Sequence, residues 1–372
     1  MAQKPLDEAV LRAALDAVKA ANGNITEAAR SLGIPRPTFQ HQYYTAIRRG
    51  LGDGLVAPAP TGHTVKGIST LYDEEGQIVQ QWVKTRADEY DIEQIIETIK
   101  AAFNDLEAAP PVPPPPDHDA SLATLYPLPD LHMGLYAWGK EAGEDYDLSI
   151  ADRVNREAFG RLVASTPASR TAVVLGLGDL IHADNTENRT ARSGNSLDVD
   201  TRYSRVLHVA TQFMVYAVDQ ALRHHERVIV RNLPGNHDTH SALAVGMALW
   251  AWYRNEPRVT VDTDPSYFWW WQFGANFLGA THGDMTKMND LPLVMAASKP
   301  EAWGSAKHRL ILTGHIHHKS ALERGGVIVE SFQSTAARDA WHQASGFRSG
   351  RSLTAITLHH ERGEIARAKV TI

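Results

Sequence analysis

The chain contains no cysteine. That excludes disulfides, thiolate zinc sites, iron–sulfur ligation and a cysteine nucleophile. It also fits a reducing compartment. No stretch approaches the roughly 18 consecutive apolar residues of a membrane span, and no apolar signal-peptide run follows the opening Met-Ala-Gln-Lys-Pro. The expectation is therefore a cytoplasmic protein without a membrane partner. A large positive charge is missing too. With 37 Lys/Arg against 43 Asp/Glu the net charge is −6, so the whole molecule is not a polycation that binds nucleic acid by bulk charge. What the chain does have is length and histidine. Its 372 residues suggest two or three domains. Its 43% apolar and 22% charged residues suit a soluble protein with a buried core. There are 18 histidines, so any metal must be held by nitrogen and oxygen ligands.

The first fifty residues read as three short helices. Leu11, Leu15 and Val18 recur at helical spacing, Thr26–Leu32 is stopped by Gly33, and a third helix opens at Pro35 or Pro37. This segment holds seven Lys/Arg and four Asp/Glu, a local balance of +3, opposite in sign to the whole. After a Gly/Pro/Ala stretch come two alternating runs, Thr64–Tyr72 and Ile78–Thr85, which predict a β-hairpin. Ile92, Ile95, Ile96, Ile99 and Phe103 predict an amphipathic helix. Residues 110–116 read Pro-Pro-Val-Pro-Pro-Pro-Pro, a semi-rigid spacer. The expected organisation is 1–54, a helical module; 62–109, a hairpin plus helix; 110–117, a linker; and 118–372, a larger domain.

In that larger domain the pattern is strand, loop, helix, repeated. Apolar runs at 122–128, 172–177, 228–233, 277–280, 310–312 and 327–329 predict short strands, and 202–223 predicts a helix. Runs at 352–358 and 365–372 predict closing strands. Polar clusters follow five of the strands: Asp130-Leu-His132, Gly178-Asp179-Leu-Ile-His182, Gly235-Asn236-His237-Asp238, Thr281-His282-Gly283-Asp284 and Gly314-His315-Ile-His317. In layered α/β folds ligands bind beyond the carboxyl ends of strands, so the five clusters should converge. Glycines before Asp179, Asn236 and His315 would let the backbone turn and aim the next side chain inward. Any single cluster is as readily a cap or turn former; five in one order are not.

This order of motifs resembles the calcineurin-like metallophosphoesterase superfamily, over roughly residues 122–334. The resemblance implies a four-layer α/β/β/α sandwich binding two divalent ions, with Mn²⁺ the first to try and Fe, Zn, Mg or Ni as alternatives. It places Asp130, His132 and His317 on one ion, Asp179 between the two, and Asn236, His282 and His315 on the other. It makes His237 the acid that protonates the leaving group, with Asp238 orienting it. It implies hydrolysis by a hydroxide bridging the ions, which clamp the phosphoryl group between them. His182 is expected to support the site or touch substrate.

The second motif, Gly-Asp-Leu-Ile-His-Ala-Asp-Asn, is similar to the double-strand-break repair nuclease branch and lacks the Asp-Arg-Gly continuation of the protein phosphatases. Residues 183–205 form a polar insert whose Arg189 and Arg192 are candidates for gripping flanking phosphates. The run Phe268–Phe273 is expected to pack in the core rather than stack bases. The segment Gly23–Phe39 resembles a Fis-like helix-turn-helix, with Arg36, Gln40 and His41 as candidate DNA readers. The expected function is a metal-dependent phosphodiesterase, a DNA nuclease, possible as a homodimer since such modules often pair. The alternatives are a small-molecule or nucleotide phosphatase, and a DNA-binding regulator with a vestigial catalytic domain.

Overall fold

A computed structural model describes residues 7–48, 51, 63–72, 78–87, 109, 112–115, 117–191, 193–339, 343–346 and 348–372. The chain divides into two compact units, Met1–Asp91 and Ile92–Ile372. The helix expected over 92–103 lies outside the described residues, as does Arg192.

In the first unit, α1 (Glu8–Ala20) is capped by the Asp7 carboxylate, which accepts from the Ala9 N–H at 2.9 Å. Asn24 caps α2 (Ile25–Ser31) by accepting from Thr26 and Glu27. Gly33 ends it at φ +66°, a left-handed conformation that costs glycine little. The third helix, α3 (Arg36–Arg48), starts between the two prolines, as their fixed φ favours. Ala14, Val18, Ala28, Ala29 and Phe39 form the small core. The alanines let the helices approach closely. The expected hairpin is present as β1 (His63–Tyr72) and β2 (Ile78–Ala87), paired antiparallel.

The second unit contains eleven described strands. They are β3 (Asp119–Leu128), β4 (Ser169–Gly176), β5 (Arg227–Asn232), β6 (Val259–Asp262), β7 (Trp269–Phe273) and β8 (Asn276–Ala280), then β9 (His308–Thr313), β10 (Ser320–Arg324), β11 (Val327–Ser331), β12 (Ser352–His359) and β13 (Gly363–Thr371). Its described helices are α4 (Gly139–Ala142), α5 (Leu148–Ala164), α6 (Tyr203–His224), α7 (Ser241–Tyr253), α8 (Leu291–Ser298) and α9 (Pro300–Ser305). One sheet has the order β13-β12-β3-β4-β5-β6 and the other β10-β11-β9-β8-β7. The run β3, β4, β5, β6 is parallel, and so is β8, β9, β11.

Side-chain alternation sorts the strands into layers. Leu125, Val173, Leu175, Leu278, Leu310 and Leu312 meet in the core between the two sheets. Their neighbours Tyr126, Ala172 and Val174 face the core shared with α5, α6 and α7. Phe277 and Ile311 face the core shared with α8. The result is the α/β/β/α sandwich that the resemblance implies. The aromatic run obeys the same rule. Trp269, Trp271 and Phe273 pack on the inter-sheet core, while Phe268 and Trp270 pack on the α8 side. It is packing, as expected. Ala109, just before the proline segment, donates its N–H to the Trp252 carbonyl (2.8 Å), and Arg258 donates to the carbonyl of Val112 within the segment (2.5 Å). Short, polar β10 and the four-residue β6 carry no strong apolar pattern and were not expected. Among the described residues no helix is long and apolar enough to cross a membrane.

Leu312→Ala, which removes a fully buried side chain from between the sheets, should lower stability by about 2–5 kcal/mol. Chemical denaturation followed by tryptophan fluorescence reads this directly, because Trp269 lies in the same core.

Candidate metal centre

The parallel runs send the carboxyl ends of β3, β4 and β5 in one sheet, and of β8 and β9 in the other, to a common edge. The loops there are laced together by their own backbones. Asp130 N–H donates to the Gly178 carbonyl (3.2 Å), His132 N–H to the Asp179 carbonyl (2.9 Å), and Gly314 N–H to the His282 carbonyl (2.9 Å). Asp130, His132, Asp179 and His282 are all almost wholly buried. Buried, ionisable and convergent side chains need a reason, since each costs desolvation unless paired or bound to a cation.

The seven expected ligands form two groups. The donor atoms of Asp130, His132 and His317 lie within 4.8 Å of one another, and so do those of Asp179, His282 and His315. Asn236 joins the second group, its Oδ1 standing 3.1 Å from His282 Nε2. Asp179 stands between them: its Oδ2 is 3.2 Å from His282 Nε2 and 3.8 Å from His132 Nε2. The structure thus brings all seven expected ligands together.

The backbone is distorted to achieve this. Seven described non-glycine residues have positive φ, and five of them are expected ligands: Asp130, His132, Asp179, His315 and His317. Such residues cost on the order of 1–3 kcal/mol each and persist only where the surroundings enforce them. The three glycines act differently from one another. Gly178, at φ +89°, makes a turn. Gly235 and Gly314 do not need positive φ. A Cβ on Gly235 would strike the Asp179 carboxylate, and one on Gly314 would sit 2.8 Å from Asp130 Oδ2. Their service is to leave room for the carboxylates.

The donor set fits a divalent cation. His282 Nδ1–H donates to the Leu177 carbonyl at 2.8 Å, which fixes the tautomer and turns the Nε2 lone pair inward. Burial, reinforced by the neighbouring His237, holds His132 well below the usual histidine range and so neutral. Burial alone would disfavour charge on His282 also, but the Asp179 carboxylate outweighs it and pushes His282 up to about 10. Asp179 in turn is held well below the usual carboxylate range by His282, against the opposing effect of burial. A proton on His282 thus stands where a cation would.

The structure assigns Asp238 a different duty from the expected one. Its carboxylate accepts from the N–H groups of Asp179 (3.1 Å), Leu180 (2.8 Å), Ile181 (3.3 Å) and Gly235 (2.9 Å). It ties the β4 loop to the β5 loop. Burial and the charge of Asp179 push its carboxyl up to about 7. His237 is oriented instead by the His182 carbonyl, which accepts from its Nδ1–H at 2.7 Å. The His237 ring stacks on His182 and stands edge-on to His132, with centroids 5.2 and 4.8 Å apart. His182 itself is buried, its Nδ1 3.1 Å from His132 Nδ1. The donor atoms of His132, His182 and His237 also lie within 4.8 Å of one another.

Arg189 is exposed, and its guanidinium donates to the Gly194 carbonyl within the insert (3.2 Å). The insert is tied down by Asp200, whose N–H donates to the Gly134 carbonyl and whose carboxylate accepts from the Leu148 N–H. In the other unit, Arg36 and His41 are exposed on α3 and Gln40 is half-buried. Two contributors carried little sequence signal. Ser334 Oγ donates to the Asp130 carbonyl (2.6 Å), and buried Asp184 accepts from the His240 N–H (2.9 Å). Asp184 at least lies within the second motif; Ser334 lies beyond the last one.

No family model and no curated protein matches the chain. Solved structures do match. A conserved uncharacterised protein, a predicted phosphoesterase, from Streptococcus pneumoniae is 13% identical, covering 68% of this chain and 98% of its own, with a TM-score of 0.28. An archaeal phosphodiesterase is 14% identical over 67% of this chain and 99% of its own, with a TM-score of 0.33. A 5′-nucleotidase precursor from Thermus thermophilus is 13% identical over 68% of this chain and 54% of its own, with a TM-score of 0.31.

Two outcomes are expected. Metal must displace the proton that His282 keeps up to about pH 10, so metal affinity should rise with pH through neutrality, by up to about tenfold per unit from this group. Calorimetry in two buffers of different ionisation enthalpy should register proton release. Asp238→Ala should lower stability by more than about 3 kcal/mol, because it strips four buried N–H groups of their acceptor. If Asp238 served only to orient His237, denaturation would be unchanged and turnover alone would fall.

Proposed function

We propose that the protein is a metal-dependent phosphoesterase that cleaves phosphodiester bonds, with DNA as its substrate. The observation that carries this reading is the position of Asp179 Oδ2 between two groups of nitrogen and oxygen donors. Asp130, His132 and His317 would hold one ion; Asp179, Asn236, His282 and His315 would hold the other; Mn²⁺ is the first candidate. Bound there, two divalent cations would supply Lewis-acid polarisation of the phosphoryl oxygens and lower the pKa of water.

The chain's own residues supply the rest. His237 keeps its Nδ1–H on the His182 carbonyl, so Nε2 is the atom that gives and takes the proton. A proton delivered there to the leaving oxygen removes the cost of expelling an alkoxide. The Asp238 clamp holds Asp179 and Asn236 at fixed separation, so substrate meets a site that needs no rearrangement. The nuclease reading is supported by the second motif and by Arg36 and His41, exposed on one helix of a module with local charge +3. In this reading α3 contacts DNA, as a pair of copies in a homodimer, and the second unit cuts it.

His237→Ala should cut kcat by about 10²–10⁴ while metal content, read by elemental analysis, stays at wild-type level; loss of metal as well would make His237 a ligand. Excess chelator should abolish turnover. The substrate class is read by comparing bis-p-nitrophenyl phosphate, p-nitrophenyl phosphate and labelled single- and double-stranded DNA. Hydrolysis of the monoester alone would replace the nuclease reading with a small-molecule phosphatase. A DNA shift without cleavage of any substrate would leave a regulator.

A further inference from the structure

Asp184 is a buried acid that is not one of the expected ligands. Its side chain is 1% exposed. Burying a carboxylate costs free energy unless it is bonded. Here both contacts at Oδ2 come from one residue. The His240 N–H donates to it at 2.9 Å, and His240 Nδ1 lies 3.2 Å away. The His240 side chain itself is 62% exposed.

The place of that contact matters more than its strength. Residues 179–184 and 235–240 are tied together, and the ties advance in step along both. Asp238 accepts from the N–H groups of Asp179, Leu180 and Ile181. The His182 carbonyl accepts from His237 Nδ1–H at 2.7 Å. Asp184 then accepts from the His240 N–H. His237 therefore lies between two anchors, at residues 238 and 240. The first fixes its backbone beside Asp179. The carbonyl that sets its ring belongs to a loop residue two positions before Asp184, and a loop carbonyl turns with its neighbours. A purely structural duty is the rival account. Helix α7 begins at Ser241, and its cap residue His240 makes no side-chain cap bond. A carboxylate suits that helix end. Capping alone would stabilise α7 and leave the His237 ring indifferent to Asp184.

We infer that Asp184 is a positioning residue for His237: by holding His240 it keeps the His182 carbonyl on His237 Nδ1, and so keeps Nε2 aimed at the leaving group. The role at the leaving group rests on the phosphoesterase reading above; the hold on the ring does not. The consequence is selective. A leaving group that departs as an alkoxide needs the proton from His237. The p-nitrophenolate ion departs without one.

The test compares Asp184→Ala, which removes the acceptor, with Asp184→Asn, which keeps an oxygen for the His240 N–H. Both are made in the full chain. With Zn²⁺ added and the histidines labelled with ¹⁵N, His237 Nδ1–H should give a downfield NMR resonance protected from water, identified by its loss in His237→Gln. In Asp184→Ala its exchange with water should quicken by at least about tenfold, and Asp184→Asn should restore most of the protection. Turnover is read with Mn²⁺. Asp184→Ala should slow cleavage of thymidylyl-3′,5′-thymidine, which releases an alkoxide, by about ten- to a hundredfold. Bis-p-nitrophenyl phosphate should be cleaved at close to the wild-type rate. A resonance absent from the wild type or unchanged in Asp184→Ala, or an equal loss on both substrates, overturns the positioning role and leaves a helix cap. Should Asp184→Ala not fold, Asp184→Ser, too short to reach His240, is read in its place. If the wild type cleaves neither substrate nor any other phosphoester, the phosphoesterase reading falls instead. In that case, or if only one of the two is cleaved, the resonance alone decides whether Asp184 holds the ring.

Discussion

The carboxylate of Asp238 binds four backbone N–H groups from two loops, and the geometry of the metal centre hangs on that arrangement. The β4 loop must carry Asp179 with positive φ, and the β5 loop must carry Asn236 and His237 opposite it. Neither loop has regular secondary structure to hold it there. A buried acceptor shared between them replaces the missing ladder. The His237 N–H then donates to Asp179 Oδ1 (2.8 Å), leaving Oδ2 to face His132 and His282. One oxygen is used for architecture and the other is kept for chemistry.

Much of the fold was legible in the sequence because the central strands alternate cleanly and end in Gly-x or Asp-x-His turns. The five polar clusters were legible for the same reason, since a glycine or aspartate closing an apolar run marks both a strand end and a site. What could not be read was direction. Asp238 adjoins His237 in sequence, so neighbourly orientation was the natural expectation; its side chain instead points back to the preceding loop. Gly235 and Gly314 look like turn formers on paper. Only the packing reveals that a Cβ would collide with Asp179 and Asp130. Arg189 sits in a tempting insert, and one N–H of its guanidinium donates to the insert's own Gly194 carbonyl. Ser334, which holds the Asp130 carbonyl, follows the last motif, with nothing in its local pattern to distinguish it from an ordinary loop.

The histidines divide by environment more than by position. His132 is kept neutral by burial, and His282 is kept charged by Asp179, although both are expected ligands. Farther away, His225 is kept neutral chiefly by burial, with the neighbouring His224 adding to it, its pKa lowered to about 3, and it bonds Tyr126 and Ser169 in the core behind α5 and α6. A histidine count therefore measures little until each ring is assigned a partner.

The ligands of a single group, Asp130, His132 and His317, lie 187 residues apart in the chain at their widest. No short peptide from this protein contains a complete group. During synthesis the site does not exist until β9 has emerged and the second sheet has closed on the first. A cation that binds the finished site therefore rewards completed folding and gives nothing to a partly made chain. The slow, long-range steps of assembly must be driven by the hydrophobic cores between and outside the sheets, and a metal bound afterwards would act as a lock on the result.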